Sequence, residues 1–123
     1  MVLDPSDWIE AKNGCPQIHP AAHLASSGSK IENDFIGRLH PSDITRLYFW
    51  LGGTDSDDEG NWSWIDGTPF NFTSWESSEG SDGVQDSCLA MYNYYYYSYD
   101  TYRWYDYECY ASYPYICEIN LDQ

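Results

Sequence analysis

The sequence predicts an α+β fold, with two short helices packed on a small antiparallel sheet that a long loop interrupts. Three observations carry this. Helix-start signals fall before His40, strand-length apolar and aromatic runs begin at Leu47, and a polar stretch from about Phe70 to Asp86 is too long for a simple connection.

Asp4 followed by Pro5 has the form of an N-cap with proline at the first helical position. Trp8, Ala11 and Cys15 then share one helical face, and Gly14 is placed to close the helix. Ser29-Lys30-Ile31-Glu32 is a capping box for a second helix. Ile31, Phe35 and Leu39 follow at helical spacing, which predicts the face that packs on the sheet, and His40-Pro41 ends the run. Leu47-Tyr48-Phe49-Trp50-Leu51, bounded by Gly52-Gly53, has the form of a buried strand. Trp62 and Trp64 alternate about Ser63 before a turn at Asp66-Gly67-Thr68-Pro69, and strand-like segments return at Cys88–Met91, Trp104–Tyr107 and Tyr113–Glu118.

Length and charge bound the rest. The 123 residues allow a single domain, residues 1–123 with a core over 8–118. Five Lys+Arg stand against 20 Asp+Glu, a formal charge of −15, which disfavours nucleic acid and anionic membrane as partners and favours cations. Aromatic residues make up 19%, enough to build a core despite that charge. No apolar run approaches the ~18–20 residues of a membrane span, so no membrane insertion is expected. The first residues lack the basic flank and apolar stretch of a signal peptide. Cys15, Cys88, Cys109 and Cys117 form no CxxC and permit three pairings, or four separate thiols. Two sequons, Asn61-Trp62-Ser63 and Asn71-Phe72-Thr73, point to a secreted, disulfide-bonded glycoprotein.

Asp55-Ser56-Asp57-Asp58-Glu59-Gly60 imitates the start of an EF-hand loop. Its twelfth position is Asp66 rather than Glu, and strand-like residues flank it, so that motif is rejected. Twelve of the 13 tyrosines lie between Tyr92 and Tyr115, and Tyr94-Tyr95-Tyr96-Tyr97 is expected near the tip of a hairpin. Two readings stand there. Tyr95, Tyr96 and Tyr97 form a contact surface, or alternating tyrosines fill cross-strand positions. For Tyr107, Tyr113 and Tyr115 the sequence favours core or cross-strand packing. His19, His23 and His40 have no partner nucleophile in any motif, and no enzyme activity is expected.

From about Trp8 to Glu118 the chain resembles the C-type lectin-like domain family. The residues that carry the likeness are Asp7-Trp8-Ile9-Glu10-Ala11 with Cys15, His23-Leu24-Ala25-Ser26 with Glu32-Asn33-Asp34-Phe35-Ile36, and Trp50-Leu51-Gly52-Gly53. To these add Trp62–Pro69 with Phe72-Thr73-Ser74-Trp75, Trp104 before Cys109, and Tyr115-Ile116-Cys117-Glu118. The resemblance implies bridges Cys15–Cys117 and Cys88–Cys109. It also implies an opening strand paired with the last one; only seven residues precede Trp8, so the expectation is that this strand is missing or that the edge is protected another way.

The resemblance further implies one or two Ca2+ ions on the long loop. Asp55, Glu59, Asp82 and Asp86 match an auxiliary site, with Ser87 where another acid is usual. At the sugar site, Glu79-Gly80-Ser81 keeps the Glu of the loop signature but lacks its proline and amide. Trp104-Tyr105-Asp106 keeps Trp and Asp but puts tyrosine in place of an amide ligand. Glu79, Asp86 and Asp106 remain as ligands, with Ser81 a fourth. A third set, Ser26, Glu32 and Glu118, matches a family site that pins the second helix to the C-terminus, with Gly28 in place of one acid. The function expected is a secreted, calcium-stabilised module that binds a carbohydrate or protein ligand. The contacts would come from Glu79, Ser81, Tyr95, Tyr96, Tyr97, Tyr105 and Asp106. The alternative is an acidic matrix protein, or one that binds a mineral or ice surface, without sugar binding.

Overall fold

The computed structural model describes residues 2–39, 48–56, 61–75, 87–92 and 102–119. The chain opens with a strand, β1 (Val2–Ser6), and the expected helix start at Asp4-Pro5 lies inside it. Helix α1 (Trp8–Ile18) begins instead at Asp7, whose carboxylate accepts from the Glu10 N–H while the Glu10 carboxylate accepts from the Asp7 N–H. That reciprocal box satisfies two orphan donors, which Asp4 cannot do from within a paired strand. Gly14 does not close α1. A Cβ there would lie 2.6 Å from the Tyr115 hydroxyl, so the missing side chain lets the helix sit close against the sheet.

β2 (Ala22–Leu24) follows, then α2 (Lys30–Gly37), which is capped by the Ser29 hydroxyl accepting from the Glu32 N–H. The face of α2 differs from the expectation. Ile31, Phe35 and Leu39 point outward at 84%, 62% and 38% exposure, and Asn33, Ile36 and Gly37 are buried. Two contacts determine this. A Cβ on Gly37 would fall on the ring of buried Tyr102, so only glycine admits that ring, and Asn33 hydrogen-bonds inward.

The remaining strands are β3 (Tyr48–Thr54), β4 (Ser63–Trp64), β5 (Ser87–Tyr92), β6 (Trp104–Glu108), β7 (Tyr113–Tyr115) and β8 (Cys117–Ile119). The main sheet runs β1-β7-β3-β5-β6, with β4 also paired to β3, and β2 and β8 form a separate antiparallel pair. Two expectations are corrected here. The opening strand is present, with Val2 opposite Tyr115 and Ser6 opposite Tyr113, and five residues are enough to cover that edge. The sheet is mixed rather than purely antiparallel, since β3 and β7 run parallel at Trp50 and Tyr115.

Two cores lie on the two faces of the sheet. One gathers Phe49, Leu51, Leu89, Met91 and Trp104 with Ile36 of α2. The other gathers Trp50, Cys88 and Ala90 with Trp8, Ala11 and Cys15 of α1. Trp8 Nε1 donates to the Leu51 carbonyl at 2.8 Å and Trp50 Nε1 to the Ser6 carbonyl at 2.9 Å, so both indoles are buried without an orphan donor. The bridges are Cys15–Cys117 and Cys88–Cys109, as the resemblance implied.

Candidate functional site

Trp104 organises the end of the sheet from which the long loop departs. Its ring meets Trp64 at 5.4 Å, Trp75 at 5.5 Å and Phe70 and Phe72 at 5.8 Å. Its indole N–H donates to Asn33 Oδ1 at 2.8 Å, and its backbone N–H donates to the Ser74 carbonyl at 2.8 Å. Residues 70–75, expected to be polar loop, are therefore an aromatic lining held on β6, ending in a parallel bridge between Trp75 and Trp104. The chain is described again at Ser87, which pairs with Glu108 on the same strand. The two ends of segment 76–86 are thus fixed on β6, one on each side of Asp106.

Asp106 is half-buried opposite Leu89. Strand alternation puts it on the same face as Trp104 and Glu108, and turns Tyr105 to the other face. Asp55 is buried just beyond β3, after Thr54, whose register partner is Cys88. Asp55 therefore stands at the end of the sheet where β5 begins. Of the calcium ligands predicted on and beside the long loop, Asp55 and Asp106 lie among the described residues. Glu59, Glu79, Ser81, Asp82 and Asp86 lie outside them, as do Tyr95, Tyr96 and Tyr97. Asp55 and Asp106 each offer a carboxylate, which suits a hard cation, and calcium wants six to eight oxygens, so residues outside the described ones would have to supply the rest at each position.

Tyr105 belongs to a separate layer of aromatic rings. Tyr48 stacks on Tyr92 at 4.5 Å and meets Tyr107 at 5.0 Å and Tyr105 at 5.3 Å edge-on, while Tyr107 meets Tyr113 at 5.5 Å. These are the cross-strand roles expected for Tyr107 and Tyr113, and Tyr115 is buried in the α1-side core. Burial, then the neighbouring Tyr107, pushes the Tyr113 phenol up to about 12 and the Tyr48 phenol further still. β5 and β6 are antiparallel neighbours up to Met91 and Trp104, consistent with a hairpin, and its Tyr94–Tyr97 stretch lies outside the described residues.

The third predicted set is divided. Ser26 and Glu118 do meet, with Glu118 Oε1 accepting from the Ser26 N–H at 2.8 Å and lying 3.0 Å from its hydroxyl. Glu32 does not join them; its Oε1 accepts from the Gly28 N–H at 2.6 Å. With Gly28 in place of an acid, that backbone N–H takes up the Glu32 carboxylate.

Comparison with known proteins agrees with this geometry. Residues 4–119 match the family model for the lectin C-type domain. The human protein "C-type lectin domain family 4 member F" is 41% identical over 81 residues, 66% of this chain and 12% of that protein. The type-2 ice-structuring protein of Hemitripterus americanus is 36% identical over 84 residues, 68% of this chain and 47% of that one. The chain thus spans less than half the length of these two relatives. Among solved structures, a calcium-independent type II antifreeze protein superposes with a TM-score of 0.75 at 28% identity, covering 96% of this chain and 82% of that one. The matched family is one of binding domains rather than of enzymes. The chain belongs to the C-type lectin domain family.

Proposed function

We propose that the chain is a secreted, calcium-stabilised binding module that recognises a carbohydrate or protein ligand, without catalysis, at the end of the sheet where segment 76–86 departs. One observation supports this above others. Asp106 stands between the two points where that acidic segment meets β6, at Trp75–Trp104 and Ser87–Glu108. Asp106 with Glu79, Ser81 and Asp86 would hold one ion, and Asp55 with Glu59, Asp82 and Asp86 a second. Calcium would supply a Lewis-acidic centre for ligand oxygens and would offset the clustered negative charge. Trp104 and Asn33 hold β6 rigid beneath Asp106, and Tyr95, Tyr96 and Tyr97 extend the contact surface from the neighbouring hairpin. Asn61 and Asn71 of the two sequons are exposed, which suits glycosylation in the secretory pathway.

A glycan array run with calcium and with chelator tests the reading. Binding to a defined glycan that disappears in chelator, and in Asp106→Ala, is the expected result. A blank array, together with no calcium-dependent rise in melting temperature, would end it.

A second reading is favoured by the likeness to the ice-structuring protein of Hemitripterus americanus and to the antifreeze structure. In that reading the chain binds an ice or mineral lattice and no sugar. Thermal hysteresis that persists in chelator, with a blank array, would select it.

A further inference from the structure

Three segments remote in sequence meet where β2 pairs with β8. His23 of β2 stands directly opposite Glu118 of β8, so their side chains share a face. Asp66, from the turn after β4, completes the group, and ligating atoms of the three residues lie within 4.8 Å of one another. The Asp66 side chain is only 4% exposed, which makes an unbalanced carboxylate costly there.

The hydroxyl contacts in this corner outnumber the hydroxyl hydrogens. The Ser26 hydroxyl lies 2.9 Å from Asp66 Oδ2, 3.0 Å from Glu118 Oε1 and 3.2 Å from Thr68 Oγ1, and Thr68 Oγ1 lies 3.0 Å from Asp66 Oδ2. The Ser26 and Thr68 N–H groups also donate, to Glu118 Oε1 and Asp66 Oδ1, but two hydroxyl hydrogens cannot serve all four hydroxyl contacts, so some lone pairs face lone pairs. The imidazole adds an independent sign. Its Nδ1 lies 3.9 Å from Asp66 Oδ2 and 2.9 Å from the Leu24 carbonyl oxygen; the latter contact places the hydrogen on Nδ1, which leaves the lone pair on Nε2, and a ligating role through Nε2 needs only a small turn of the ring. Nε2 is buried and has no hydrogen-bond partner among the described residues. An imidazole tied to a backbone carbonyl through one nitrogen, with the other unused, is the arrangement typical of a metal-ligating histidine.

We propose that His23, Asp66 and Glu118 form a binding site for a divalent transition ion of the zinc type, with the hydroxyls of Ser26 and Thr68 around it. Imidazole with two carboxylates suits zinc, which accepts three protein ligands and a water and takes nitrogen readily, whereas calcium takes oxygen ligands and makes no use of the imidazole. The four cysteines are all in disulfides and do not compete for the ion. Such an ion cross-links β2, the β4 turn and β8. It does not depend on segment 76–86, so its test is separable from that of the ligand reading.

The test is calorimetric titration of the chelator-stripped chain, disulfides intact, with ZnCl2 and in parallel with CaCl2. One zinc per chain is expected, with a zinc-dependent rise in melting temperature. His23→Gln and Glu118→Gln should each weaken zinc binding by about 10–100-fold or more, while His19→Gln, at an exposed site, leaves it intact. Should the variants fold poorly, the ring-nitrogen NMR signals of His23 in the unaltered chain should shift on zinc addition and those of His19 should not. Absence of zinc binding, binding unchanged in a folded His23→Gln, or unmoved His23 signals would each overturn the proposal.

Discussion

Asn33 shows how one buried polar side chain serves both fold and site. Its Nδ2 donates to the Tyr102 carbonyl at 3.0 Å, and its Oδ1 accepts from Trp104 Nε1 at 2.8 Å and the Ser27 hydroxyl at 3.0 Å. A single amide thus locks α2 onto β6 beneath Asp106. Asn33→Ala leaves the Trp104 indole N–H and the Ser27 hydroxyl buried without this partner, at about 1–3 kcal/mol each, while the Tyr102 carbonyl keeps the Ser74 hydroxyl. We expect a loss of about 2 kcal/mol or more in urea unfolding; a change below about 1 kcal/mol would refute this account. Asp106→Asn is the contrasting case at this scale. It keeps the side-chain shape at a half-buried position, so it should leave the melting temperature of the calcium-free chain nearly unchanged while weakening calcium binding. A calcium titration read by melting temperature checks both halves. In the sequence, Asn33 is one residue in an apparently solvated Glu-Asn-Asp run. Two of its three partners, Tyr102 and Trp104, lie about seventy positions away, so local pattern could not assign it.

At the scale of elements, α2 is where periodicity misled. Ile31, Phe35 and Leu39 have the spacing of a buried stripe, yet α2 turns Asn33, Ile36 and Gly37 inward because only that face fits the Tyr102 ring. Ile31→Ser and Phe35→Ser should therefore change stability by less than about 0.5 kcal/mol, while Ile36→Ala should cost about 2–4 kcal/mol. Thermal or urea unfolding of the three variants checks the order, and a large loss at Ile31 would restore the sequence-based face. The strands were more readable. The runs at Leu47–Leu51, Cys88–Met91 and Trp104–Tyr107 nearly coincide with β3, β5 and β6, because continuous apolar runs mark strands buried on both sides. Val2–Ser6 was missed, since Asp4-Pro5 has helix-start chemistry and the strand depends on β7 for its partner. The tyrosine layer carries its own prediction. The Tyr113 phenol, ordinarily near 10, is raised to about 12 in the folded state by burial and Tyr107. A raised acid keeps its proton longer in the folded than in the unfolded chain, so its contribution is complete below pH ~10 and lost as pH climbs towards about 12. Melting temperature should fall over that interval, and Tyr113→Phe should make the fall shallower.

For the whole molecule, the two bridges restrain different lengths of chain. Cys15–Cys117 spans a sequence separation of 102 and Cys88–Cys109 one of 21. Spacing alone left three pairings open. The pairing followed from family resemblance, because β8 comes beside α1 only once the fold is made. The same limit applies to the site. Its two described acids, Asp55 and Asp106, were singled out from motif position, as were Ser26 and Glu118, whereas His23 and Asp66 were not joined to Glu118, because the β2–β8 register and the turn after β4 bring them there. The chain-entropy account assigns the long loop about 4.7 kcal/mol and the short one about 3.3 kcal/mol, growing with the logarithm of loop length. Both bridges close onto buried sulfur, Cys15 and Cys88, so packing losses on removal are comparable and loop length should set the order. The double variant Cys15→Ala/Cys117→Ala should thus be less stable than Cys88→Ala/Cys109→Ala by about 1–2 kcal/mol in guanidinium unfolding at neutral pH. The reverse order would mean that local packing around Cys88, which lies between β3 and β6, outweighs chain entropy. In that case the neck of the long loop, rather than the closure of the chain ends, would be the chief source of the molecule's stability.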